Sequence, residues 1–155
     1  ETQVGSSLTF PMCGFGCDDW VLALLKTKSY IPLNELGPDH ESWGMKDGGG
    51  GRLMVFDRAR QHRAYAETAS FGNYVYRTYG VQKIKRLQRL SQEKERPWQD
   101  VFGASLQELE ANWLKAVRAS EKDREKEVAT IAKLLEQDPG GACAEAQQLA
   151  KNRRP

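Results

Sequence analysis

Histidine is nearly missing from this sequence: among 155 residues there are only His40 and His62. They are too far apart for two imidazoles to face one ion from successive turns of a helix, the usual helical spacing for a metal pair. Cysteine is scarce and odd in number, with Cys13, Cys17 and Cys143, so at least one thiol stands outside any internal pair. Cys13-x3-Cys17 has too few partners for a zinc site; a disulfide or two buried thiols fits it better than a metal. No apolar run approaches the roughly 18 residues that span a bilayer. An excess of one charge is lacking too, since 23 Lys and Arg stand against 21 Asp and Glu for a net charge of +2. Bulk electrostatics therefore favour neither nucleic acid nor an acidic membrane as partner. The sequence begins at Glu1 with neither an initiator Met nor a charged-then-apolar leader, which reads as a processed product or an excised piece of a longer protein. The disulfide reading leans toward a secreted or extracytoplasmic setting.

What is present is helical grammar. The chain is long enough to bury a core as one domain. Tyr65, Ala69, Gly72, Tyr76 and Tyr79, widened by Thr68, Phe71 and Val75, recur at helical spacing and predict a long helix beginning near Asp57 with that stripe inward. Gly80 supplies its stop. Val81, Ile84, Leu87 and Leu90 predict a second amphipathic helix with basic residues on its other faces. Pro97 suits the first turn of a short helix through Trp98, Val101 and Phe102, ended by Gly103. Ser105 and Glu108 form an S-x-x-E capping box ahead of Leu106, Leu109, Trp113 and Val117.

Toward the N-terminus, Asp18 or Asp19 is placed to cap a helix through Trp20, Val21, Leu22, Leu24 and Leu25 to about Lys28. Gly48 to Gly51 cannot be regular structure without a large entropic cost and predict a flexible loop or joint. They do not form a phosphate cradle, because no Lys-Ser or Lys-Thr follows at the required spacing. From Arg118 to Glu127 both charge signs alternate, the pattern of a solvated helix face. Val128, Ile131 and Leu135 restore an apolar stripe until Asp138-Pro139-Gly140-Gly141, and a last helix is expected over about 142 to 151. The whole predicts a mainly α bundle of five to seven helices with a Gly-rich loop and little or no sheet. Its core would come from the Trp20, Tyr65, Val81, Leu106 and Val128 stripes.

Three strings carry a family resemblance: Tyr30-Ile31-Pro32-Leu33-Asn34-Glu35-Leu36, then Y-A-E-T-A-S-F-x-x-Y-V-x-R-T-Y-G from Tyr65, then F-G-A-S-L-Q-E-L-E-A-N-W from Phe102 to Trp113. Over roughly residues 30 to 118 the chain resembles the helical C-terminal part of gluzincin-type zinc metallopeptidases, the peptidase MA-like group. The resemblance implies residues 1–118 as that helical subdomain; residues 119–155 lie outside it and read as a charged helical extension, whether packed on the same domain, a separate helical hairpin or the start of a further domain. It also implies a zinc ion in the parent domain, a peptide or protein substrate, and an upstream zinc-binding segment of the same parent protein as partner. The motif that such chemistry needs, H-E-x-x-H, is missing here, and His40-Glu41-Ser42-Trp43-Gly44 has glycine where the second histidine would stand. The isolated chain is therefore expected to hold no cofactor and to lack catalytic activity. Glu1 lies at about the distance of the family's third ligand, without the Gly and Ala that should follow it. Tyr65 and Glu67 would border the substrate cleft if the resemblance holds. Read from their residue types alone, they are a core tyrosine and an exposed carboxylate, and the two histidines are solvated surface residues.

A reading of another class uses Arg77, Lys83, Lys85, Arg86 and Arg89 as a basic face for nucleic acid or an acidic protein. Glu93, Glu95 and the balanced total charge weigh against nucleic acid.

Overall fold

The computed structural model describes residues 13–49 and 55–152. Seven α-helices are present among them: α1 Cys17–Lys26, α2 Arg58–Tyr79, α3 Val81–Leu90, α4 Trp98–Phe102, α5 Leu106–Ala119, α6 Glu125–Gln137 and α7 Ala142–Asn152. Short 3-10 turns cover Leu33–Glu35, Glu41–Trp43 and Glu121–Arg124. The mainly α bundle is thus as expected, and the sheet is minimal. Strands β1 Met45–Lys46 and β2 Val55–Phe56 pair antiparallel, Met45 opposite Phe56 and Lys46 opposite Val55.

The central element is α1. Cys17, Asp19, Trp20, Val21, Leu22, Ala23 and Leu24 are all buried, so this helix is covered on every side, as an all-round apolar segment requires. It packs on α2 and α6 and touches α5. Its N-cap is Gly16 rather than Asp18 or Asp19. Asp19 sits three residues on and accepts from the Gly16 amide at 2.9 Å. The helix ends at Lys26, where the Thr27 hydroxyl donates to the Ala23 carbonyl at 2.9 Å.

The other boundaries follow their local chemistry. Asp57 caps α2 by accepting from the Arg60 amide at 3.0 Å, and Gly80 ends it at φ 79°, a region open to glycine. Ser105 and Glu108 make the reciprocal capping box at the start of α5, with Glu108 N to Ser105 Oγ 3.2 Å and Ser105 N to Glu108 Oε2 2.7 Å.

Two of the expected core stripes are corrected. On α2 the buried residues are Ala64, Ala66, Glu67, Ser70, Phe71 and Val75, whereas Tyr65 and Tyr76 are 37% and 49% exposed. Small side chains admit α1 closely, and the tyrosines stand outside, where a phenol keeps its hydroxyl wet. On α3 no residue is fully buried and Val81 is exposed. This helix lies on the surface, and Ile84 only flanks the core.

The charged run after α5 is not one solvated helix. It breaks at Ser120 into a 3-10 turn, and Arg124 reaches back to Asp19 at 2.6 Å and Asp18 at 3.7 Å. Val128, Ile131 and Leu135 of α6 join the same core as Trp20 and Trp113, so residues beyond 118 share one hydrophobic centre with those before. Cys13 pairs with Cys143, not with Cys17, and fastens the loop before α1 to α7. Gly14 lies flat against that helix at φ 71°, where a β-carbon would come within 2.8 Å of the Ala146 carbonyl oxygen. Gly50 and Gly51 of the predicted glycine loop, and Glu1, lie outside the described residues.

Candidate functional site

Two carboxylates grip one turn. The segment Tyr30–Leu36 leaves α1 with Pro32 fixing its backbone, so the amides of Ile31 and Leu33 point away from any helix of their own. Glu67 of α2 accepts from Ile31 N at 3.0 Å, and Glu110 of α5 accepts from Leu33 N at 2.9 Å. The Tyr30 hydroxyl donates to the same oxygen of Glu110. The Tyr30 ring leans on Trp113, centroids 6.3 Å apart, and burial, followed by the Glu110 contact, raises its pKa.

Glu67 is fully buried. Its Oε2 finds no hydrogen-bond partner among the described residues, and burial pushes the carboxyl up to about 8 against the pull of the Ile31 amide and Arg63. The expected exposed carboxylate is therefore an interior group. In this chain it touches a turn rather than an open cleft. Tyr65, the other cleft candidate, is partly exposed and packs its ring 5.8 Å from that of Trp43.

A second polar chain crosses the core. Ser70 donates to Asp18 Oδ1 at 2.5 Å and accepts from Trp113 Nε1 at 3.0 Å. With the Arg124 ion pairs it couples α1, α2, α5 and the 3-10 turn through groups whose desolvation demands partners. The link was hidden because Ser70 and Asp18 are 52 positions apart.

Beside the turn lies an apolar groove of about 480 Å³. It is lined by Leu33 and Leu36 of the turn, Leu87 of α3, Trp98 of α4, and Phe71 and Trp43. The Trp43 indole donates to the Gly37 carbonyl at 2.8 Å. A residue-by-residue search for chemistry-bearing motifs misses this groove, because apolar positions carry no chemistry until the fold groups them.

The proposed basic face divides. At about 100° per helical residue, Lys85, Arg86 and Arg89 share the outer side of α3, while Lys83 lies within the apolar arc of Ile84, Leu87 and Leu90. Lys83 Nζ donates to the Val101 carbonyl at 2.6 Å, at the end of α4. Arg77 stands on α2, at a small polar hollow with Asp18, Asn73 and Arg124.

His40 is exposed, as expected. His62 is not a solvated surface group: its Nδ1 is buried without a partner among the described residues, and burial, with Arg58 nearby, lowers its pKa. No three His, Cys, Asp or Glu side chains are grouped to hold a metal among the described residues, and Cys13 is committed to its disulfide. Nor is any helix among the described residues long and apolar enough to cross a membrane.

No family model matches this chain, and no curated protein or solved structure matches it either.

Proposed function

We propose that this chain is a helical subdomain of a zinc-metallopeptidase-like protein, inactive by itself, which packs against an upstream zinc-binding segment and helps to shape the substrate cleft. One observation supports this reading: the three strings that carry the resemblance are bonded to one another. Tyr30, Ile31 and Leu33 of the first meet Glu67 of the second and Glu110 of the third, and Trp113 of the third binds Ser70 of the second. Residues that looked like separate fragments of helix grammar form one hydrogen-bonded unit.

The test compares the purified chain with a longer polypeptide that adds the parent's preceding sequence, by elemental zinc analysis after dialysis and by peptide hydrolysis. The chain alone is expected to carry no stoichiometric zinc and to turn over no peptide, and the longer form to do both. Stoichiometric zinc on the chain alone, or none on the longer form, would overturn the reading. Glu1→Ala reports whether that residue ligates.

A second reading is favoured by the clustering of Lys85, Arg86 and Arg89 on one side of α3, which has no ion pair among the described residues. That side would hold an acidic protein surface or a phosphate backbone. Binding would weaken steeply with salt, and the triple change to Gln would abolish the salt dependence.

A further inference from the structure

The groove beside the turn has a definite chemical character. Its volume of about 480 Å³ falls within the span of small-ligand sites, roughly 300 to 1,000 Å³. Away from Arg96, the side-chain polar hydrogens of Thr68, Ser91 and Trp43 that line it are already committed. Thr68 donates to the Ala64 carbonyl at 2.7 Å, Ser91 to the Leu87 carbonyl at 2.7 Å, and the Trp43 indole to Gly37. The interior is therefore made for an apolar body.

Among the lining residues, charge enters only through Glu95 and Arg96. These two differ in a way that decides which one a ligand meets. The Glu95 side chain is 83% exposed, whereas that of Arg96 is 49% exposed. They approach each other only to 3.9 Å, a surface contact of little strength that another carboxylate can displace. The Arg96 backbone sits at φ 50°, unusual for a residue with a β-carbon, and the Pro97 that follows is fully buried. The guanidinium is thus carried by a backbone fixed at the rim. A planar guanidinium matches a carboxylate with two parallel hydrogen bonds.

We propose that this groove binds an amphipathic monocarboxylate, its apolar chain or ring lying between Leu33, Leu87 and Trp98 and its carboxylate on Arg96. The occupant is a small free acid. Nothing in this assignment depends on the peptidase likeness.

The experiment titrates the purified chain with decanoate below its micelle concentration, following tryptophan fluorescence, since Trp43 and Trp98 face the site. Decanamide, the neutral counterpart, and an amidated peptide of apolar residues are titrated in parallel. Saturable binding of decanoate is expected, about tenfold tighter than decanamide, with Arg96→Gln removing that advantage and leaving decanamide unchanged. Ser91→Trp, which fills the groove from the surface, is expected to block both, with circular dichroism confirming the fold. The proposal falls if decanoate does not saturate, if Arg96→Gln leaves its affinity intact, or if the amidated peptide binds more tightly than decanoate.

Discussion

Glu67 is a carboxylic acid held in the interior, where its type would suggest solvent. Below about pH 4.5 its carboxyl is protonated in both folded and unfolded chains. Between that value and about 8, the folded-state value, only the folded chain keeps the proton, so each unit of rising pH costs up to about 1.4 kcal/mol of stability. Above about 8 the loss is complete. Urea unfolding from pH 5 to 8.5 should show a steady decline in the native chain and a much flatter profile in Glu67→Gln, which keeps the acceptor for Ile31 without a charge. Parallel profiles would mean that the buried carboxyl is not holding a proton. Ser70 makes a second test. Ser70→Ala strands the buried Trp113 indole and takes one donor from Asp18, which keeps Arg124, a loss of about 1 to 3 kcal/mol for a buried group left unpaired, which the denaturation midpoint would report without change in slope.

Among the elements, α5 and α3 show why some of this architecture was legible in the sequence and some was not. The capping box of α5 is a local signal, fully contained in Ser105 and Glu108, and the structure repeats it. Ser105→Ala should cost about 1 kcal/mol, visible as a lower melting temperature. The buried stripe of α6 and the stops at Gly80 and Gly103 were legible for the same reason. The apolar period of α3 was also legible, but periodicity says only that one side is apolar. Whether that side is sealed in the core or left lining a groove depends on neighbours. The long helix α2 misled in the opposite sense, since its tyrosines drew the stripe toward the outside while Ala64, Ala66 and Ser70 marked the side where α1 comes close. Of the candidate residues, Glu67 was singled out from sequence, yet its partner Ile31 lies 36 positions away. Glu110, Tyr30 and the Asp18–Ser70–Trp113 chain are tertiary pairings that no local pattern encodes.

For the whole molecule, the shared core that holds the segment beyond residue 118 to the rest is reinforced by the Arg124–Asp19 ion pair and the Cys13–Cys143 disulfide. Arg124→Ala would leave the buried Asp19 carboxylate without its nearest cation, and lost stability is expected at neutral pH. Reduction of the disulfide, or Cys143→Ser, should cost about 2 to 5 kcal/mol in thermal or denaturant unfolding, because the open chain regains the freedom that a long closed loop forbids.

The same disulfide spans 130 positions, so the backbone from Cys13 to Cys143 is closed into a covalent ring. Lys46 is exposed and lies within that ring. A single tryptic cut after it would open the ring without dividing the molecule, giving two disulfide-linked chains, heavier by one water and still a single species under non-reducing conditions. Only a reductant would release two pieces. The polypeptide thereby keeps its parts together through a backbone break that would split an ordinary chain of the same fold.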